Sequence, residues 1–215
     1  MQAVFDNLGA YGQGFLVTLE LLLASAVGAS IIGMIVAVMR ISPIGSLRAI
    51  ATGYTELVRN TPLTLVFFFI AIVLPTLQVQ MDYKVGAIVA LSIYTSPFIA
   101  EALRSGINGV PLGQAEAARS VGLTFGQTVS MIIFPQALRM VVPPLINVFI
   151  ALTKNTSVAA GFYVAELIAT SKVLANENGD AVIPILIGTA ICYLIITIPL
   201  GQIAARIERK VAVLR

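Results

Sequence analysis

About five stretches of this chain are too long and too apolar to be left in water. They run from Gly12 to Met39, Gly53 to Leu74, Val85 to Leu103, Ala137 to Leu152 and Ala181 to Ile203, and Leu, Ile, Val, Ala, Phe and Gly dominate each. A hydrocarbon core of about 30 Å takes roughly 20 apolar residues of helix, so all but the short fourth stretch match a membrane crossing. Charge content agrees: 11% of the 215 residues are charged and 58% hydrophobic, against about 25% charged in soluble domains. Lipid-exposed backbone must satisfy its own hydrogen bonds, and these runs are continuous rather than alternating at period two, which favours helices over a barrel. The predicted class is an all-α integral membrane protein. No low-complexity linker divides it, so residues 1–215 read as a single transmembrane domain. Met1 to Tyr11 holds Asp6 and no basic residue, unlike the positive start of a cleavable signal, so the first stretch is taken as a mature helix.

Charge sets the expected orientation, because short cytoplasmic loops carry the excess of Lys and Arg. Arg40, Arg48, Arg59, Arg104, Arg119, Arg139, Arg206, Arg209, Lys210 and Arg215 fall on one side of a five-span layout. Lys84, Lys154 and Lys172 fall on the other, with Asp6, Asp82, Glu166, Glu177 and Asp180. This places the N-terminus outside, the C-terminus in the cytoplasm, and the turn-prone segment Asn176 to Asp180 in an outer loop. The formal charge of +3 is scattered between apolar stretches, which argues against a nucleic-acid partner. The single cysteine, Cys192, has no intrachain disulfide partner. Histidine is absent, no metal-ligand cluster or nucleophile with a plausible base is evident, and no G-x-x-x-x-G-K-[ST] loop is present. The chain is therefore not read as an enzyme, and any nucleotide energy must come from a partner.

The least lipid-like interior segment is the cytoplasmic loop at about 105–135. Pro111 and Gly113 interrupt the preceding helix, and Gln114 to Val121 is rich in helix formers before Gly122 stops it. Ala115, Ala117 and Ala118 are small, and Glu116 and Arg119 stand three apart, a spacing suited to an ion pair. Such an element is shaped to lie across a membrane face and dock.

Glu116-Ala117-Ala118, then Gly122, then Ile133 to Pro135 resembles the E-A-A, G and I-x-L-P loop of binding-protein-dependent ABC permeases of the type I importer fold, with Phe134 where Leu is frequent. Arg59-Asn60-Thr61-Pro62-Leu63 is similar to the R-G-T-P-L block of the polar amino acid uptake subfamily. So is the run through Tyr94, Glu101, Arg104-Ser105-Gly106-Ile107 and Gly113-Gln114, with Ser105 in place of a Gly. Pro135-Gln136-Ala137-Leu138-Arg139, Pro143-Pro144, Asn147 and Lys154-Asn155-Thr156-Ser157 extend the resemblance over most of residues 15–205. Within the subfamily, R-N-T-P-L-T-L-V, Y-T-S-P-F-I-A-E, L-R-S-G-I-N and A-L-T-K-N-T-S most resemble permeases of actinobacterial glutamate importers.

The resemblance implies that Gln114, Ala115, Glu116, Ala117, Ala118, Arg119 and Gly122 form a coupling helix that fits a groove on a cytoplasmic ATPase subunit. It further implies a dimer of such ATPase subunits, a second permease chain that is identical or paralogous, and an extracytoplasmic amino acid binding protein. ATP and Mg would sit on the ATPase, and this chain would bind no cofactor. The location implied is the plasma membrane of a bacterium.

Charges at bilayer depth cost about 2.5 to 3.5 kcal/mol on insertion scales, so the remaining ones need partners or a purpose. Glu101 with Arg104, and Glu56 with Arg59, have the spacing of ordinary ion pairs between helical turns. Glu20 lies nearer mid-depth with no partner evident from sequence. Lys154, Asn155, Thr156 and Ser157 interrupt an apolar run after Pro143, Pro144 and Asn147, and transporters place substrate sites at such helix breaks. The expected substrate pathway therefore comprises Tyr94, Glu101, Asn147, Lys154, Asn155, Thr156 and Ser157. Lys154 as a snorkelling residue at a helix end is the competing reading. Some relatives with basic substrates carry Asp at the position of Asn155, and its absence weakens a lysine or arginine assignment. An ion-gradient-driven secondary transporter or channel, or a membrane scaffold, stays open as a rival, since broken helices and buried charges suit a carrier too.

Overall fold

The computed structural model describes residues 2–212, with no account of the side chains of 211 and 212; Arg215, counted above among the cytoplasmic charges, lies outside the described residues. Nine helical elements follow in order: α1 (Gln2–Asp6), α2 (Leu8–Ile41), α3 (Gly45–Arg59), α4 (Leu63–Thr76), α5 (Tyr83–Asn108), α6 (Leu112–Ser120), α7 (Phe125–Phe162), α8 (Leu167–Glu177) and α9 (Val182–Ala212). Four of them, α2, α5, α7 and α9, are long and apolar enough to cross a membrane, and α3 with α4 reaches the same length and hydropathy only when the bent pair is taken together. Exposed Leu16, Leu23, Val27, Ile31, Ile35 and Val38 form a stripe along α2, the face such a helix presents to acyl chains.

Two spans differ from the sequence expectation. The second is not one helix from Gly53 to Leu74: α3 and α4 meet at 102° across Asn60 to Pro62. Pro62 lacks an N–H and disfavours helical geometry at Thr61, so the helix must end before it. The fourth span is not short. It extends over Phe125–Phe162, about 57 Å at 1.5 Å per residue. Polar residues at both ends hide it from a hydropathy reading, and Pro143 and Pro144 lie inside helix rather than ending it. Its winding changes twice, to a π-helix over Thr128–Ile133 and to a 3-10 helix over Thr156–Phe162.

Helices in lipid gain little from hydrophobic burial and associate by close packing, which small residues permit. The α2–α5 seam follows that rule. Ser25, Ala29, Gly33 and Ala37 recur every fourth residue on α2 against Ser92, Ser96 and Ala100 on α5, and all are buried. A Cβ at Gly33 would sit 2.8 Å from the Ser96 carbonyl oxygen, so glycine is required there for the backbones to approach.

Pro97 inside α5 leaves the Ile93 carbonyl without its helical donor. The Tyr54 hydroxyl of α3 donates to that carbonyl at 3.0 Å, and the Ser96 hydroxyl lies 2.7 Å from Tyr54. The proline thus creates the acceptor that fastens α3 onto α5. Two further clusters complete the interior: Leu21, Phe67, Leu91 and Leu152 between α2, α4, α5 and α7, with Phe67 stacked on Phe162 at 5.1 Å, and Tyr11, Leu167, Leu174 and Ile185 joining the start of α2 to α8 and α9.

Candidate functional site

The short helix in the long loop spans Leu112–Ser120, two residues earlier than expected at its start. Pro111 supplies its N-terminal boundary. At its other end Gly122 adopts φ +84°, its N–H donates to the Arg119 carbonyl at 3.0 Å, and the Leu123 N–H donates to the Ala118 carbonyl at 3.1 Å. This paired closure is a Schellman cap, and a residue with a Cβ is strained at that φ. Ala118 is buried toward the chain, whereas Gln114, Glu116, Ala117 and Arg119 are exposed and Ala115 is half-buried. The expected ion pair between Glu116 and Arg119 is not among those formed by the described residues. Around this helix Leu112, Val121 and Phe125 are 83%, 77% and 84% exposed. Ala118 and the Schellman cap hold the helix in place, and its outer face is left without intrachain contacts.

A second feature lies between α5 and α7. Tyr94, Thr95 and Phe98 face Asn147, Val148, Ala151, Leu152 and Asn155 across a groove of about 450 Å³. Of the expected pathway residues, Tyr94, Asn147 and Asn155 come together here. Thr95 was not anticipated: the residue lines the groove, and its Oγ1 is buried without a hydrogen-bond partner. Nearer the ends of α5 and α7 that meet the loop, and outside the groove, Gly106 lies against Val141. A Cβ on Gly106 would stand 3.1 Å from the Val141 backbone nitrogen, so the two helices touch there and part above.

The other expected pathway residues stand apart from this groove. The chain does not break at Lys154 to Ser157 but tightens from α to 3-10 winding at Thr156. Thr156 and Ser157 spend their hydroxyls on the Thr153 and Lys154 carbonyls at 2.7 and 2.6 Å, and Lys154 is exposed. Glu101 is the centre of an ion-pair hub: it accepts hydrogen bonds from Arg40 of α2 and from Arg104 one turn below, with Arg59 at 4.0 Å. The expected pair of Glu56 with Arg59 gives way to this arrangement, because the bend at Asn60 to Pro62 turns the Arg59 guanidinium over the Phe98 ring, 5.6 Å from its centroid. Glu20 finds Lys84 at 2.9 Å, which puts it level with the beginning of α5 rather than at mid-depth.

The largest feature missed from sequence is α8. Glu166 is fully buried at its N-terminus, where Oε1 accepts the Ile168 and Ala169 N–H groups at 2.7 and 3.0 Å and Oε2 accepts the Tyr193 hydroxyl at 2.7 Å. The Leu167 N–H donates to Thr18 Oγ1 at 3.2 Å. Burial pushes the Glu166 pKa above the usual carboxylate range, and the bonds from Tyr193, Ala169 and Ile168 offset part of that rise. The available signal was an acidic N-cap residue before Leu167-Ile168, obscured by the short apolar runs on either side.

Residues 29–213 match the family model described as binding-protein-dependent transport system inner membrane component. The glutamate transport system permease protein of Corynebacterium glutamicum is 41% identical, with 99% of each chain covered. A probable glutamine ABC transporter permease protein of Bacillus subtilis is also 41% identical, over 96% of this chain and 95% of its own. Among solved structures, an amino acid ABC transporter crystallised with histidines superposes with a TM-score of 0.89 at 26% identity, covering 97% of both chains. The fold extends to the methionine ABC transporter in an inward-facing conformation, with a TM-score of 0.75. With helices fit to cross the membrane, an exposed E-A-A helix and full-length agreement with these permeases, the chain belongs to the family of binding-protein-dependent transport system inner membrane components.

Proposed function

We propose that this permease carries a polar amino acid, glutamate in the first instance, into a bacterial cell, driven by ATPase subunits that dock on α6. The single observation that carries the reading is the exposed, rigidly capped helix Leu112–Ser120, flanked by uncovered Leu112, Val121 and Phe125, in a chain 41% identical throughout to a glutamate permease. Gln114, Ala115, Glu116, Ala117 and Arg119 would meet the ATPase, with Gly122 fixing the helix end. ATP and Mg belong to that partner, and this chain contributes neither a nucleotide site nor catalysis.

The groove between α5 and α7 is proposed as this chain's half of the pathway, closed by a second permease chain, identical or paralogous. An extracytoplasmic binding protein would deliver substrate to its Tyr94 and Asn155 end. Asn147 and Asn155 offer amide partners for the substrate's polar groups, whereas Lys154, Thr156 and Ser157 act through the 3-10 turn that sets the position of Asn155. The N-terminus lies outside and the C-terminus inside, as supported by the arginines gathered at the α2–α3 and α5–α6 ends.

Reconstitution of the chain with its ATPase, second permease and binding protein in liposomes tests the proposal. ATP-dependent accumulation of radiolabelled glutamate, insensitive to collapse of ion gradients, is expected. Accumulation that needs a gradient and no ATPase would overturn it, and saturable uptake of arginine alone would overturn the choice of substrate.

A further inference from the structure

We propose that Arg59 is the inner latch of the α5/α7 groove, closing its cytoplasmic end and yielding when the pathway opens inward. The inference rests on the proposed function, because it takes that groove as the pathway and its Phe98 end as the inner one. Direction follows from the helices. Along α5 the groove residues run Tyr94, Thr95, Phe98 toward α6, and along α7 they run Asn155 back to Asn147 toward the same loop. Phe98 and Asn147 therefore form the floor, and Arg59 lies over Phe98 at 5.6 Å.

Three arginines surround one carboxylate at this floor, and they are held unequally. Arg40 and Arg104 hydrogen-bond Glu101 directly, while Arg59 stands off at 4.0 Å. Arg40 is the most enclosed, with 16% of its side chain exposed, and Arg59 the least, with 44%. Glu101 is thus satisfied without Arg59. Arg59 can leave without stranding a half-buried negative charge, because Arg40 and Arg104 continue to hold the carboxylate. Its two contacts, a ring face and a loose ion pair, are both of the weak kind that small movements make and break.

The backbone places Arg59 where movement would be felt. It is the last residue of α3, immediately before the 102° turn into α4. Tyr54 pins α3 to α5 through the Ile93 carbonyl that Pro97 leaves free. A shift of α4 against α5 therefore pivots at Asn60 to Pro62, beside the Arg59 guanidinium. Phe98 in turn contacts Tyr94 with ring centroids 5.6 Å apart, so release of Arg59 loosens the floor up to the groove wall.

The test uses the assembled transporter in proteoliposomes, with Cys192→Ser and a reporter Ala151→Cys in the groove. A membrane-impermeant maleimide is applied from the ATPase side without nucleotide, and glutamate efflux from preloaded vesicles is followed in parallel. Arg59→Ala is expected to raise the labelling rate about tenfold and to open a passive efflux. Phe98→Leu should do the same, and Arg59→Lys, which keeps the charge without the planar face, should rise less. Copurification of the ATPase subunit certifies assembly, and if Arg59→Ala fails to assemble, Phe98→Leu carries the same test. Unchanged labelling and efflux in an assembled variant would overturn the latch and leave Arg59 a static brace. A reporter unreachable from either side in the parent, with or without ATP, would instead sink the reading of the groove as a pathway, and the latch with it.

Discussion

Two short helices, α6 with 9 residues and α8 with 11, join long spans on opposite faces of the molecule and are built in opposite ways. The first N–H groups of α8 end on Glu166 and Thr18, and Leu167, Ser171 and Leu174 are buried. Helix α6 buries only Ala118 and leaves its flanking apolar side chains uncovered. Yet its ends are as firmly set, by Pro111 and the Gly122 cap. A helix with fixed ends and an empty face is prepared for another surface, whereas one with its polar groups already satisfied belongs to its own bundle.

Mutations can break that contrast, and their expected effects on stability fall in a definite order. Glu166→Ala removes a helix cap and strands buried donors, a loss of about 2 to 4 kcal/mol. Early thermal unfolding and proteolytic cleavage between Tyr163 and Ala181 would register it. Gly122→Val forces a β-branched residue to φ +84°, costing about 1 to 2 kcal/mol. That loss should stay local, seen as weaker ATPase copurification rather than a general loss of fold.

Glu166→Gln keeps the cap and changes the response to pH. Because the folded carboxyl titrates above its usual 4.5, the native state holds the proton more tightly than the unfolded chain, and stability falls as pH rises from about 4.5 through the native pKa. Melting curves from pH 4 to 8 should show that decline in the parent and a flatter profile in Glu166→Gln. Glu20→Gln breaks an exposed pair with Lys84 and should shift stability by less than about 1 kcal/mol. Glu116→Lys, on an uncovered face, should leave melting within about 0.5 kcal/mol of the parent and still abolish ATP-dependent uptake.

The same contrast explains what could be read from residues alone. Helix α6 was legible because its breakers, its alanines and Gly122 act locally and its face owes nothing to tertiary contacts. Helix α8 was not, because a buried glutamate reads as an outer-loop charge until Tyr193 and Thr18 are brought beside it. The α3–α4 bend had a local cause in Pro62, but hydropathy averaged across it. Pro143, Pro144 and the Lys154 to Ser157 run suggested a break, whereas the hydroxyls of Thr156 and Ser157 cap carbonyls of the same turn and the helix continues. Tyr94, Asn147 and Asn155 were singled out for different reasons, and only the packing of α5 on α7 brings them to one groove. Thr95 carried no sequence signal, since its distinction is an unpartnered hydroxyl.

The most direct test of the central claim is a photo-crosslinker placed at Ala117 in the intact transporter, in membranes, with and without ATP. Crosslinking to an ATPase subunit, with a yield that changes on nucleotide binding, is the predicted result. Crosslinks only to lipid or to other residues of the permease, in a complex that still imports substrate, would contradict it.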